Sequence, residues 1–243
     1  MEMQYFVKPG TDDNILQEWK QKRFNFYIQK LGINESKLRL HEHGDGELAH
    51  YAKEAWDIEY QFPFGWSEIE GIHNRTDFDL KRHEEFSGKN LSYFDQPNND
   101  RFLPYIIETS AGLNRNLLTV LADAYWEDDE NNRIVMKLHP KIAPIKAVIC
   151  PLLKKDGLPE KAREIINLLK PHFKVLYDQQ GSIGKRYYRQ DEAGTPFGIT
   201  VDHQSIEDNT VTIRDRDTMN QKRILIHEII KILDNSINND PIN

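Results

Sequence analysis

The amino-acid sequence predicts an α/β (α+β) chain of two domains, residues 1–138 and 139–243. Three observations predict it. Two amphipathic helical stretches, near residues 14–31 and 116–126, enclose a run of short strand-like segments. From Ala147 onward, strand-like and helix-like stretches alternate as βαβαββα over about 100 residues, the size of a separate domain. Between them, the acidic, polar stretch Trp126 to Asn132 and the prolines Pro140 and Pro144 suit a connection.

From Asn14 to Leu31, the residues Ile15, Leu16, Trp19, Phe24, Tyr27, Ile28 and Leu31 recur at spacings of three and four, predicting an amphipathic helix that stops near Gly32. Leu38 to Asp45 mixes charge with glycine and reads as strand or loop leading into a short helix over Glu47 to Ala55. Ile58 to Phe64, Glu68 to Ile72 and Tyr105 to Glu108 read as strands, with a charged, glycine- and asparagine-containing stretch from Arg82 to Arg101 among them. Asn116 to Trp126 reads as a helix with Leu117, Leu118, Leu121 and Tyr125 on one face. In the second domain, Ala147 to Cys150 is a buried strand and Pro159 to Leu169 a helix with Ala162, Ile165, Ile166 and Leu169 inward. Val175 to Tyr177 is a strand, Ile183 to Asp191 a polar helix, Phe197 to Val201 and Thr210 to Arg214 strands, and Thr218 to Leu233 the last helix.

Composition narrows the function classes. The 243 residues can bury a core without disulfide or metal staples. The single cysteine, Cys150, has no partner for an internal disulfide, and no N-terminal stretch joins a basic head to an apolar run and a cleavage site; a reducing, cytoplasmic location is expected. No apolar stretch approaches the roughly 20 residues of a membrane-spanning helix. A net charge of -7, from 39 Asp+Glu against 32 Lys+Arg, argues against a general nucleic-acid coat. The acid excess lies in residues 1–138, however, while residues 139–243 are slightly basic and can be drawn to phosphate. One cysteine and scattered histidines lack zinc-ligand spacing, and His41 and His43 read as surface residues.

Two constellations carry chemistry. Ile107-Glu108-Thr109-Ser110-Ala111-Gly112-Leu113-Asn114-Arg115 is a strand ending in small residues that opens into a helix. Small residues let a ligand approach the backbone, the helix start favours anions, and an arginine there meets phosphate or stacks on a base; a turn followed by a solvated charge is the plainer reading. The second runs through His50-Tyr51-Ala52-Lys53, Asp57-Ile58-Glu59-Tyr60, Phe62-Pro63-Phe64-Gly65-Trp66, Glu68-Ile69-Glu70-Gly71-Ile72 and Arg75-Thr76-Asp77-Phe78-Asp79-Leu80. Glu68 and Glu70, two apart on a strand, are expected on one face, where they bind Mg²⁺ or a substrate ammonium, or simply face water.

Together, in order and spacing, these strings resemble the glycyl-tRNA synthetases of the single-polypeptide, homodimeric type, within the class II aminoacyl-tRNA synthetases. The resemblance runs along nearly the whole chain, from Glu2-Met3-Gln4-Tyr5-Phe6-Val7 to the final helix. Its most specific pieces are Phe62 to Leu80, Glu108 to Arg115, and Val211-Thr212-Ile213-Arg214-Asp215-Arg216-Asp217-Thr218-Met219. It implies part of a class II antiparallel-sheet catalytic domain in residues 1–138, then a βαβαββα anticodon-binding domain with a mixed sheet in residues 139–243. It further implies ATP-dependent attachment of glycine to its tRNA through a glycyl-adenylate, with Mg²⁺ accompanying ATP, no zinc, and a homodimer as the family's assembly.

The resemblance also places roles on residues. Gly112-Leu113-Asn114-Arg115 is similar to class II motif 3, so Arg115 would stabilise charge on the triphosphate. Glu108 and Ser110, with Thr109, Ala111 and Gly112 around them, stand where the family binds glycine, and Glu2 matches a carboxylate that receives the substrate's amino group. Glu68 with Ile69 matches a strand lining the ATP site. Discrimination of so small an amino acid must come from carboxylates on the ammonium and a pocket too tight for a methyl group. Asn114 stands where many relatives have Asp or Gly, which removes a charge while keeping the turn. Lys185, Arg186 and Arg189, on one helix with Tyr187 and Tyr188, and Arg214 and Arg216 at a strand end, fall in the region that meets the anticodon; for each, a solvated basic face is the other reading.

Class II catalysis needs motifs 1, 2 and 3, and only motif 3 is in this sequence. The chain is therefore expected to be a C-terminal portion of a longer enzyme, inactive alone, with open strand edges and apolar surface. Two other classes remain beside it. One is a non-catalytic relative that keeps the fold to bind nucleic acid, as the accessory subunit of mitochondrial DNA polymerase does; retention of Glu2, Glu108, Ser110 and Arg115 disfavours it. The other is an α/β module for an unrelated nucleotide.

Overall fold

The computed structural model describes residues 1–44 and 46–238, which form two compact units. One comprises Met1–Gln29 and Ile33–Val120, the other Lys30–Gly32 and the described residues from Leu121 on. The elements of the first are, in chain order, β1 (Glu2–Val7), α1 (Asp12–Gln29), β2 (Leu38–Glu42), β3 (Glu54–Phe62), β4 (Gly65–Thr76), α2 (Phe78–Ser87), β5 (Tyr93–Asp95), β6 (Asp100–Phe102), β7 (Tyr105–Ala111) and α3 (Leu113–Ala124), whose last turn runs into the second unit. Five antiparallel strands make one sheet in the order β1-β7-β4-β3-β2, and β5 pairs with β6 as a separate hairpin.

One face of this sheet is covered by α1, which packs across β4 and β7. Asp12 and Asp13 lie at the positive end of the helix, and Leu16 and Tyr27 are fully buried. Two polar clamps fix the helix on β4. Arg23 Nε and Nη2 donate to the Glu70 carboxylate at 2.6 and 2.9 Å, and Tyr27 Oη donates to it at 2.8 Å. At the other end, Asp12 accepts from Asn74 Nδ2 at 2.7 Å and Lys53 Nζ at 2.9 Å. Because strand residues alternate, covering Glu70, Ile72 and Asn74 leaves Gly71, His73 and Arg75 on the opposite, uncovered face.

Burial alone would raise the Asp12 carboxyl, but Lys53 and Asn74 outweigh it and hold it at about 2. The folded value lies below the unfolded one, so this stabilisation is complete above about pH 4 and disappears as pH falls towards 2. The expected size is about 2 kcal/mol. Acid titration of urea unfolding should show the stability gap between wild type and Asp12→Asn closing by that amount over this range; a constant gap would contradict the assignment.

Several expectations are corrected here. Residues 47–53 turn rather than form a helix, and β3 starts at Glu54, because Ala55 and Trp56 pair with His73 and Ile72 and Ala55 is buried. Ladder pairing overrides local preference. Of the stretch Leu38 to Asp45, Leu38–Glu42 is a strand and Asp45 lies outside the described residues. Residues 82–101 are not a plain loop: α2 continues to Ser87, stops on left-handed Gly88 (φ 66°), and the β5–β6 hairpin follows. Glu68 and Glu70 do not share a face. The pairing shifts between Ile58 and Glu59, which face Glu70 and Glu68 respectively; Ile69 is the extra residue, and this bulge turns Glu70 towards α1 and Glu68 away from it. The apolar side of α3 is exposed at Leu113, Leu117, Leu118 and Leu121, and β1 and β2 are the sheet's edges.

The second unit contains β8 (Tyr125–Asp128), β9 (Arg133–Met136), β10 (Ala147–Pro151), α4 (Leu158–Leu169), β11 (Val175–Tyr177), α5 (Ile183–Glu192), β12 (Phe197–Val201), α6 (His203–Asp208), β13 (Thr210–Asp215), β14 (Gln221–Leu225) and α7 (Ile229–Asn238). Its mixed sheet runs β11-β10-β12-β13-β14, parallel at β10 and antiparallel beyond β12. The core joins Ile149, Ile199 and Val211 of the sheet to Leu158 and Ile165 of α4 and Ile229 and Leu233 of α7. Three features depart from the sequence reading. Thr218 to Leu233 is not one helix, because Gln221–Leu225 pairs with β13 and buries Ile224, leaving the helix to begin at Ile229. His203–Asp208 is an added helix, capped by Asp202. The acidic stretch near Asp128 is the turn of the β8–β9 hairpin, joined to the rest of this unit by Arg133, which donates to Asp128, Asp191 and the Arg216 carbonyl.

Candidate active site

The uncovered face of the first unit's sheet brings together side chains from strands far apart in sequence. Glu2 of β1 lies opposite Ser110 of β7, and Ser110 lies opposite Gly71 of β4. One step along, Gln4, Glu108 and His73 form the next row. Gln4 Nε2 donates to Glu2 at 3.0 Å and to Glu108 at 3.3 Å, so the two carboxylates are bridged by one amide. Arg75 Nη1 donates to both Glu108 oxygens at 3.2 and 3.0 Å, while its other nitrogens grip Asp79 at 2.7 and 3.1 Å. The Arg75 guanidinium stacks 4.0 Å from the Tyr51 ring centroid. The result is a small hollow, with acid on two sides and a hydroxyl between them, buried Gly71 beside the His73 ring at its base, and a fixed cation behind Glu108.

Strand alternation divides the β7 string. Glu108 and Ser110 face the hollow, whereas Thr109 and Ala111 lie opposite Ile72 and Glu70 on the α1 side, with Thr109 only 6% exposed. Beyond Ala111, the chain enters α3 with neither Gly112 nor Asn114 at positive φ, so the helix begins directly, without a left-handed residue. Leu113 is exposed. Arg115 Nη1 donates to Ser67 Oγ at 3.0 Å and to the Glu68 carbonyl at 2.8 Å, which aims an exposed guanidinium at the bulged part of β4. Behind it, the Asn116 side-chain amide lies 3.1 Å from Tyr27 Oη and can donate to it, tying the start of α3 to the Glu70 clamp. Ile69 itself is buried. Partial desolvation raises the carboxyl of Glu68, which is exposed on β4, and the charge of Asp57 adds to this while Arg115 opposes it. Arg39 of β2, placed over Trp66 at 4.4 Å and paired with Glu59, completes the same face.

The curated proteins most similar to this chain include three bacterial glycine–tRNA ligases. That of Treponema denticola is 56% identical over 247 residues, covering 98% of this chain and 54% of that protein. Those of Borrelia hermsii and Chlorobaculum tepidum are 54% and 50% identical, covering 94% and 96% of this chain and 53% and 50% of those proteins. The chain belongs to the glycine–tRNA ligase family. It spans about half the length of the relatives it matches. A family model described as an anticodon binding domain matches residues 146–236, almost all of the second unit's mixed sheet and helices.

Within that domain of the ligase family, the five basic residues singled out from sequence separate. Arg186, Arg214 and Arg216 are buried, 3, 4 and 2% exposed, and are corrected from contact residues to interior ones. Arg186 donates to the carbonyls of Pro151 and Gly181, and Arg214 makes two bonds to Asp191 at 2.8 and 2.9 Å. Arg216 donates to the carbonyls of Leu138 and Gly194 and to Asp217. A guanidinium presents five donors in a fixed fork, which suits it to such interior roles as well as to phosphate. Lys185 and Arg189 remain exposed on α5, Arg189 paired with Asp178 at 2.5 Å. In the first unit, Gln4, Gly71, His73, Arg75 and Arg39 escaped the sequence reading of the site. Arg75 and Gly71 lie in strings quoted there; what brings them to this face is Gly71's register opposite Ser110 and Arg75's bonds to Glu108, which one sequence does not disclose.

Proposed function

We propose that this chain carries the amino-acid pocket, part of the ATP site and the anticodon-binding part of a glycine–tRNA ligase, which joins glycine to its tRNA through glycyl-adenylate. The observation that carries the reading is the hollow in which Glu2, Gln4, Glu108 and Ser110 converge beside Gly71. Two carboxylates receive the substrate ammonium, and the hollow admits an α-carbon without a side chain. With the ammonium held, the substrate carboxylate can attack the α-phosphorus of ATP, releasing pyrophosphate. Arg115, at the start of α3, supplies positive charge to the triphosphate.

Mg²⁺ entering with ATP would be held by Glu68. Its carboxylate is exposed on β4, has no hydrogen-bond partner among the described residues, and is held above the ordinary range by partial desolvation and by Asp57; a hard cation relieves both effects. The ion would neutralise triphosphate charge. Glu70, engaged by Arg23 and Tyr27, takes no part. Lys185 and Arg189 of α5 are the residues offered to the anticodon loop of glycine-specific tRNA. Assembly as a homodimer and a cytoplasmic location complete the reading; no described helix is long and apolar enough to cross a membrane.

Calorimetric titration of this chain with 5′-O-(glycylsulfamoyl)adenosine, and in parallel with glycine-specific tRNA, tests it. Saturable binding of both is expected, with the leucyl analogue not binding. tRNA binding without analogue binding would favour a non-catalytic nucleic-acid-binding relative, and neither would overturn the reading.

A further inference from the structure

His73 stands in the centre of the sheet, opposite Ala55 on one side and Glu108 on the other. Its ring is mostly buried, and Nδ1 is buried without a hydrogen-bond partner, 3.7 Å from Glu108 Oε1, too far for a bond. A buried nitrogen without a partner costs stability, a cost that an apolar side chain at this position would not carry. The other edge of the ring overhangs the hollow. A β-carbon built on Gly71 would lie 3.1 Å from His73 Nε2, 3.2 Å from its Cε1 and 3.6 Å from Asp57 Oδ1. Gly71 is the residue opposite Ser110, so this edge walls the space above the floor of the hollow. Asp57 is itself fixed by His43 Nε2 at 2.8 Å, and the His43 and Tyr51 rings stand 6.2 and 6.5 Å from that of His73. Arg75 occupies the far side of Glu108.

We propose that His73 is the specificity-determining residue of this amino-acid pocket, its Nε2–Cε1 edge filling the volume a substrate β-carbon would need while its Nδ1–H stands ready to steady Glu108. The inference rests on the glycine reading of the hollow and adds to it the side chain that rejects alanine. Burial favours the neutral ring, against the charges of Glu108 and Asp57, and a neutral imidazole has one donor to give. A small shift of Glu108 on loading closes the 3.7 Å gap to a bond, leaving Arg75 on the carboxylate's other side.

The two parts come apart in His73→Asn and His73→Ala. The Asn amide nitrogen stands near the position of Nδ1 and keeps the donor, but Asn lacks the overhanging edge; Ala lacks both. Binding of the glycyl and alanyl sulfamoyl-adenosine analogues to wild type and both variants is read as a ratio of dissociation constants. Discrimination against the alanyl analogue is expected to fall about tenfold or more in both variants, with glycyl affinity lower in His73→Ala than in His73→Asn. Unchanged discrimination in both overturns the wall, and equal glycyl affinities overturn the donor. Should His73→Ala fail to fold by circular dichroism, His73→Asn alone decides the wall, and His73→Gln, whose amide reaches the Nε2 position instead, replaces it as the variant without the donor. Absence of glycyl-analogue binding by the wild type sinks the ligase reading itself, a result distinct from wild-type binding with unaltered discrimination.

Discussion

Asp191→Ala is expected to destabilise the second unit by about 3–5 kcal/mol, the cost of leaving buried charge uncompensated. Asp191 is 1% exposed and is shared by two guanidiniums, accepting from Arg133 Nη1 at 2.7 Å and from Arg214 at 2.8 and 2.9 Å. Both arginines are themselves buried, and among the described residues no other carboxylate reaches Arg214. Asp128 still reaches Arg133, so the larger share of the loss falls on Arg214 and on β13. Hydrogen exchange of the β12 and β13 amides measures it. A change under about 1 kcal/mol would mean that water or a neighbouring group replaces the carboxylate. Asp191→Asn, which keeps shape and one acceptor, should lie between.

Glu108→Gln is expected to weaken binding of the glycyl sulfamoyl-adenosine analogue about 10- to 100-fold, the value of a charged hydrogen bond to an ammonium. Gln keeps the shape of the side chain, and Asp79 keeps hold of Arg75, so thermal stability should change little. Thr109→Val is the contrast. Thr109 is adjacent in sequence but faces the α1 side, and its replacement should leave affinity unaltered. Equal effects of the two substitutions would move the pocket off this face.

How much of this was legible beforehand follows from the kind of interaction concerned. The strands Val175–Tyr177 and Phe197–Val201 were legible to the residue, and α1, α4 and α5 to within a few, because each has an apolar run or a 3.6-residue repeat of its own. β14 was not: Gln221–Leu225 carries charge and lacks an apolar run, and it is a strand because β13 offers it an edge. The Glu68–Glu70 pair shows the same limit at the site. Spacing of two means a common face only in an unbroken ladder, and the shift opposite Ile58 and Glu59 breaks it.

The family, the two-part order of the chain and the candidate string Glu108 to Arg115 are readable from residue order, since local periodicity and ordered motifs are properties of neighbours along the chain. Tertiary structure alone decided which of these residues meet. It set Gln4, Arg75 and His73 around Glu108, turned Thr109 and Glu70 away, and drew Arg186, Arg214 and Arg216 into the interior. The reason is physical: an arginine's charge is the same on either side of the surface, and only the partners that packing brings to it, a carboxylate such as Asp191 or a carbonyl such as that of Gly194, determine whether it can be buried.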